Sequence, residues 1–168
     1  DYVFHFAGVG DVVPSIKKPD NYMMINVQGT VRVLEAARHA KVKKFIYAAS
    51  ASCYGMNSKR TKESSKINLQ NPYALSKYLG EKVVFNWSKV YGLPANSIRI
   101  FNAYGTRNKT TGSYSAVIGV FFKQKLKKVP LTIVGDGKQT RDFIYVTDIA
   151  EAFLAAAKTS IVGTIYNV

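Results

Sequence analysis

The chain has 168 residues, 47% of them hydrophobic, with 24 Lys and Arg against 10 Asp and Glu for a formal net charge of +14. That is enough apolar material for one core and too much for a disordered or low-complexity chain. The longest apolar run, residues 114–122, is interrupted by Ser115 and Gly119 and falls well short of the ~18 residues needed to cross a bilayer, while a single cysteine, Cys53, excludes an internal disulfide.

Tyr2-Val3-Phe4-His5-Phe6 is an unbroken hydrophobic run that ends in Ala7-Gly8-Val9-Gly10. This is the pattern of a buried parallel strand feeding a loop of small residues. Ligands of open α/β sheets lie at the carboxyl ends of the strands, where small side chains let them approach the backbone. Met23, Met24, Val27, Val31, Leu34 and Ala37 recur at helical spacing after Pro19 and Asp20, and predict a helix over 20–39. Asn26 lies among these apolar positions, facing either water or the interior, where its amide needs partners. Phe45-Ile46-Tyr47 marks a second buried strand, within 43–49, which runs into Ala48-Ala49-Ser50-Ala51-Ser52-Cys53-Tyr54-Gly55. The hydroxyls at its end suit either a substrate-holding edge or a plain serine-rich turn.

Residues 56–71 are polar and aperiodic, a surface loop. A helix follows over 73–91, with Leu75, Leu79, Val83, Val84 and Trp87 as its buried stripe and Gly92-Leu93-Pro94 as its stop. Residues 96–101 form a third strand that delivers Asn102-Ala103-Tyr104-Gly105 to the same edge as Gly8 and Ser50. Strands separated by long helices predict an α/β fold built on a doubly wound parallel sheet. Beyond residue 105 the elements shorten: a polar loop over 106–113, a helix over 117–127, a strand over 131–134, the turn Gly135-Asp136-Gly137, a strand over 143–146, a helix from Thr147 or Asp148 to Lys158, and an apolar run over 161–168. This half has the look of a lid or second lobe.

Tyr73 and Lys77 stand four residues apart in the 73–91 helix, on one face and roughly 6 Å apart along its axis. A phenol titrates near ~10, so a useful base near neutrality needs a shift of about 3 units, or ~4 kcal/mol. One cation ~4 Å away at an effective dielectric of about 20 supplies that much. The lysines elsewhere are scattered in short clusters on element ends and polar faces, which predicts a solvated basic surface rather than a nucleic-acid partner; small polyanions such as nucleotide diphosphates fit it. His5, His39 and Cys53 show no metal-ligand spacing, and no metal is expected. The lone thiol agrees with a reducing, cytoplasmic location, and no membrane partner is expected.

Six motifs in order, His5-Phe6-Ala7-Gly8, Asn26-Val27-x-Gly29-Thr30, Ser50-x-x-x-Tyr54-Gly55, Pro72-Tyr73-x-x-x-Lys77, Phe101-Asn102-x-Tyr104-Gly105 and Gly135-Asp136-Gly137-x-x-x-Arg141-Asp142-Phe143, run the length of the chain. Together they resemble the extended short-chain dehydrogenase/reductase family, and within it the nucleotide-sugar epimerases and dehydratases, most of all the UDP-glucose and UDP-N-acetylglucosamine 4-epimerases. The resemblance implies an incomplete Rossmann-like domain over 1–105 carrying the catalytic residues, followed over 106–168 by elements of a smaller substrate-binding lobe interleaved with the last Rossmann strand and helix. It implies NAD as cofactor and a nucleotide-diphosphate sugar as substrate, epimerised at C4 through a transient 4-keto sugar.

In that scheme Tyr73 is the general base, Lys77 lowers its pKa and holds the nicotinamide ribose, and Ser50 holds the reacting hydroxyl. Phe6, Ala7, Gly8, Val9 and Gly10 line the cofactor, Asn26 orients that loop, and Phe101 lies near the nicotinamide. Asn102 and Arg141 bind the diphosphate sugar, and Ala116, Val117, Thr132, Ile133 and Val134 cradle the base. Related 4,6-dehydratases carry Thr-Asp-Glu where this chain has Ser50-Ala51-Ser52, and related decarboxylases use a glutamate there; with no carboxyl in this stretch, epimerisation is the expected chemistry. A 4-keto-sugar reductase or dehydratase, and a non-enzymatic dinucleotide-fold protein that binds RNA, are the alternatives. A homodimer through the helices that begin near Asp20 and Tyr73 is also implied. The family's glycine-rich βαβ unit does not occur in this sequence, so the chain reads as a piece of a longer protein, expected to bind NAD poorly and to be inactive by itself.

Overall fold

The computed structural model describes residues 1–56, 60–108 and 117–168. Four parallel strands, β1 (Tyr2–His5), β2 (Lys44–Ser50), β3 (Ala95–Ile100) and β6 (Ile165–Asn167), form one sheet in the order β1-β2-β3-β6. Between β1 and β2 lie α1 (Val12–Lys17), α2 (Pro19–Met23), a π-helical turn (Met24–Gln28) and α3 (Gly29–His39); a 3₁₀ turn (Ala51–Tyr54) leaves β2, and α4 (Pro72–Tyr91) joins it to β3. Then come β4 (Asn102–Tyr104), α5 (Val117–Leu126), β5 (Phe143–Tyr145) and α6 (Val146–Lys158). Among the described residues β4 and β5 pair in parallel as a separate two-stranded sheet.

The strand period of two assigns the core to two faces. Phe45, Tyr47 and Ala49 of β2 point to a cluster completed by Leu34 and Ala37 of α3 and Val84 of α4, while Ile46 and Ala48 point the other way, onto Ile149, Phe153, Ala156 and Ala157 of α6. Helices thus cover both faces of a parallel sheet, the doubly wound arrangement expected from the alternation of elements. The second half of the chain contributes α6 and β6 to this sheet.

Three differences from the sequence expectation have physical causes. The helix expected over 20–39 is broken by the π turn, which inserts an extra residue and turns Asn26 inward, to 1% exposure. The strand expected over 131–134 does not form: Ile133 is 70% exposed, no strand pairs with it among the described residues, and Thr132 is held by Gln124 of α5, whose Nε2 reaches its Oγ1 at 2.6 Å. Nor is the inward stripe of α4 the apolar one. Ser76, Lys77, Gly80 and Glu81 are buried beside Ala74 and Val84, while Leu79 is 37% exposed.

Polar groups tolerate that inward stripe because each has a partner. Glu81 receives two hydrogen bonds from Arg99 (2.6 and 3.0 Å) and one from Ser97 (2.8 Å), and Arg99 also donates to the Tyr54 hydroxyl at 2.7 Å. Gly80 is glycine for space: a Cβ there would lie 2.2 Å from the Tyr47 hydroxyl and 3.0 Å from the Asn26 carbonyl. Gly92 is glycine for conformation, closing α4 at φ 68° in the left-handed region.

Candidate active site

The carboxyl ends of β2 and β3, the start of α4 and the segment 138–142 enclose a cleft of about 1530 Å³. Ser50 ends β2 and caps the 3₁₀ turn, its Oγ accepting from the Ser52 amide at 3.2 Å and from the Ser52 hydroxyl at 2.8 Å. Tyr73 sits in the first turn of α4, started by Pro72 and capped by Asn71, whose Oδ1 accepts from the Ala74 amide at 2.9 Å. Ser50 and Tyr73 both line the cleft.

Phe101, Asn102 and Arg141 line it too. Phe101 stacks on Tyr54 with ring centroids 6.4 Å apart, and the Asn102 Nδ2 donates to the Asp142 carbonyl at 2.8 Å. Arg141 is exposed, its guanidinium donating, among the described residues, to the neighbouring Thr140 carbonyl at 2.8 Å, and its planar fork of donors suits an anion.

Lys77 lies one turn deeper, buried, with its ammonium 4.6 Å from the centre of the Tyr47 ring. Desolvation pulls it down to about 8. The Tyr73 phenol is raised, not lowered: burial dominates, Tyr22 and Asp11 add to it, and the Ser50 hydroxyl opposes. This reverses the sign expected from the Tyr-Lys spacing, because burial of the phenol outweighs the opposing Ser50 hydroxyl and Lys77 is not among the groups that shift it. Helical spacing puts the two residues on one side of α4, and the Lys77 ammonium rests 4.6 Å from the centre of the Tyr47 ring.

On the far side of α4, Asn26 fixes the loop after β1. Its Oδ1 accepts from the Val9 amide at 2.8 Å, and its Nδ2 donates to the Val9 carbonyl at 3.0 Å and to Ser76 Oγ at 2.9 Å. A Cβ on Gly8 would lie 2.8 Å from Asn26 Oδ1 and 3.8 Å from the Lys77 ammonium, whereas one on Gly10 would meet nothing within 4 Å. Gly8 is thus pinched against Asn26 and lies beside Lys77, and Ala7, Gly8 and Gly10 leave an exposed stretch of small residues. Phe6, also exposed, sets its ring 4.3 Å from that of Phe153. Beneath the loop, Thr30 gives its only proton to the Asn26 carbonyl at 2.7 Å, so its contact with His5 Nε2 at 3.0 Å assigns the hydrogen to His5. Burial and Lys77 bring His5 down to about 4 and keep it neutral.

The structure does not bring every expected residue together. Val117 and Thr132, Ile133 and Val134 do not line the cleft, and Ala116 lies outside the described residues. Reading the sequence also missed Ser52, Ser76 and the Glu81–Arg99–Tyr54 network behind the 3₁₀ turn. A signal for the last was present: Arg99 stands between Ile98 and Ile100 in a strand that must be buried, and such a charge demands a partner. Among the described residues no three His, Cys, Asp or Glu cluster to hold a metal, and no helix is long and apolar enough to cross a membrane.

The model of the NAD dependent epimerase/dehydratase family matches residues 1–168. A putative UDP-glucose 4-epimerase of Methanocaldococcus jannaschii is 38% identical over 158 residues, covering 93% of this chain and 52% of that protein. Among solved structures, a UDP-N-acetylglucosamine 4-epimerase from Methanobrevibacter ruminantium M1, in complex with UDP-N-acetylmuramic acid, superposes with a TM-score of 0.96 at 34% identity, covering 100% of this chain and 54% of that one. A UDP-glucuronic acid 4-epimerase from Bacillus cereus, in complex with UDP-glucuronic acid and NAD, gives 0.90 at 34% identity, covering 100% and 53%. The chain spans about half the length of these relatives. With its full length matched, and Ser50, Tyr73 and Lys77 gathered around α4, it belongs to the NAD dependent epimerase/dehydratase family.

Proposed function

We propose that the protein containing this chain interconverts nucleotide-diphosphate sugars by epimerisation at C4, using NAD. One observation carries the reading: a serine hydroxyl and a half-buried tyrosine phenol line one sugar-sized cleft, while the neighbouring Ala51 and Ser52 offer no carboxylic acid. Among the described lining residues the one carboxyl is that of Asp142, on the opposite wall. Elimination or decarboxylation needs a carboxyl beside the reacting carbon, and epimerisation does not.

The residues facing the loop after β1 fit the cofactor. The glycine backbone that Asn26 pins admits a flat ring and ribose, and the Lys77 ammonium beside Gly8 is a donor for ribose hydroxyls. When bound, NAD supplies the acceptor and later the donor of the sugar C4 hydride. The protein's own part is the proton. Ser50 orients the C4 hydroxyl, Tyr73 takes its proton as the carbonyl forms and returns it as the hydroxyl is restored, and Lys77 holds positive charge behind the phenol. Arg141 and Asn102, on the opposite wall, bind the diphosphate. The bases of different nucleotides would be read by Val117 and Thr132, Ile133 and Val134 once that lobe closes.

A homodimer through the outward faces of α3 and α4 belongs to the same proposal, supported by the exposed apolar residues Leu79, Val90 and Tyr91 on α4. Cytoplasmic location is part of it. The test is to incubate the intact protein and NAD with UDP-glucose, UDP-N-acetylglucosamine and their galacto epimers. Equilibration of at least one pair is expected, and failure with every pair refutes the reading.

A further inference from the structure

Arg60 and Thr61 line the cleft on a segment that the chemistry described so far does not use. Arg60, Lys62, Glu63 and Ser64 are exposed, and a second cavity, of about 390 Å³, opens beside Glu63. Asn167, in β6, lines both that cavity and the cleft. With water or empty space on either side, this wall gains little from apolar packing, and its position rests on hydrogen bonds.

Arg99 and Asn167 supply them. From β3, the buried Arg99 donates through Nη1 to the Glu63 carbonyl at 3.3 Å and to the Tyr54 hydroxyl at 2.7 Å. Asn167 donates its backbone amide to Glu63 Oε1 at 2.8 Å and its Nδ2 to the Thr61 carbonyl at 3.4 Å, while its Oδ1 meets the Tyr54 hydroxyl at 2.7 Å. The two ends of this series fix its sense. A guanidinium only donates and a carbonyl only accepts, so the Tyr54 oxygen accepts from Arg99 and its own proton goes to Asn167. Turning the amide over would set Oδ1 against the Thr61 carbonyl, two acceptors with no proton between them. Glu81 of α4 takes the rest of the guanidinium at 2.6 and 3.0 Å, which anchors the series in the core.

We propose that Asn167 is a positioning residue for the sugar nucleotide: by joining the Tyr54 hydroxyl to the Thr61 carbonyl it holds the 60–63 wall against the cleft, and so sets how tightly substrate is bound and not how fast it reacts. The proposal rests on the functional reading above. An amide carries an acceptor and a donor on one planar group, one for each neighbour. Its backbone is paired with Arg99 in the sheet, so the side chain is a fixed post to which the exposed segment is tied. A wall that touches the substrate equally before and during reaction contributes uniform binding, and its displacement raises KM while leaving kcat in place.

The experiment measures initial rates of the intact protein with NAD and with UDP-glucose and UDP-N-acetylglucosamine in turn. Asn167→Ala is expected to raise KM by about 3–10-fold, the worth of one hydrogen bond, with kcat within about twofold of the parent. Asn167→Asp keeps the shape and the acceptor for Tyr54 but sets a carboxylate oxygen against the Thr61 carbonyl, so it should raise KM at least as much. Tryptic cleavage after Arg60, Lys62 and Lys66 of the folded protein reads the same wall without turnover, and nicking about 3–10-fold faster is expected in both variants. An unchanged KM in Asn167→Ala overturns the proposal, as does a fall in kcat at constant KM. So does Asn167→Asp behaving as the parent in rates and nicking, because the side chain would then only fill space. Absence of sugar interconversion in the parent would refute the functional reading, while the nicking comparison would still decide whether Asn167 holds the wall, so the two failures are distinguishable.

Discussion

Replacing Gly80 by alanine sets helix propensity against packing at a single atom. By propensity alone the change stabilises, since alanine in a helix interior is better than glycine by about 1 kcal/mol. The structure reverses the sign. The new Cβ would lie 2.2 Å from the Tyr47 hydroxyl and 3.0 Å from both Tyr47 Cζ and the Asn26 carbonyl, and neither neighbour is a flexible tip. Tyr47 is fully buried in the sheet's main cluster and Asn26 is backbone in the π turn, so the helices themselves must part. Overpacking of this kind costs ~1–3 kcal/mol, and a contact this short belongs at the upper end, leaving a net loss of about 1–2 kcal/mol.

The displaced carbonyl belongs to the residue that grips Val9, so NAD binding should weaken in the same variant. Urea unfolding of the intact protein, extrapolated linearly, measures the first effect and isothermal titration with NAD the second. Gly92→Ala is the control, with nothing within 4 Å of its new Cβ and φ at 68°, so it should lose about 1 kcal/mol by conformation and leave NAD binding unchanged. Adding Tyr47→Phe to Gly80→Ala removes the closest atom and should restore part of the stability. The reasoning fails if Gly80→Ala matches or exceeds the parent in urea, or if removing the Tyr47 hydroxyl restores nothing.

Glu81→Ala leaves the Arg99 guanidinium buried without its carboxylate and should cost ~3–5 kcal/mol, whereas the paired change Glu81→Leu with Arg99→Met should cost much less; denaturation midpoints of the two variants decide. Tyr73→Phe should slow sugar interconversion by about 10²–10⁴-fold with little change in melting temperature, and a rate within tenfold of the parent would remove Tyr73 from the chemistry. His5 titrates near about 4 in the fold against 6.5 when unfolded, so the unfolded chain binds the extra proton and stability rises with pH between those values. That contribution amounts to roughly 3 kcal/mol and is lost as pH falls towards 4; His5→Gln should flatten the slope, and an unchanged slope would show that the imidazole is not the group responsible.

The serine, tyrosine and lysine were legible because their spacing follows from local geometry. A strand that ends in hydroxyls and a helix with residues four apart place their side chains by period alone, and so do the two faces of β2. The glycine loop and the glycine stop at Gly92 are likewise short-range facts. The direction of the Tyr73 shift was not legible. It depends on the desolvation of a phenol set against Tyr22 of α2 and on Ser50 of β2 and Asp11, residues far from it in sequence.

The amino-acid order alone therefore determined the parallel α/β alternation and which side chains could take part in chemistry, because backbone period and turn chemistry act within a few residues. The tertiary structure decided that the inward face of α4 is polar, that residues 131–134 form no strand, and that a π turn aims Asn26 at Val9. Each of these is settled by a partner supplied from elsewhere: Arg99 for Glu81, a missing ladder for residues 131–134, and the space left by Gly80 for the Asn26 carbonyl. A buried charge, an unpaired strand and a close helix approach gain or lose free energy only against a neighbour, and that neighbour exists only once the chain has folded.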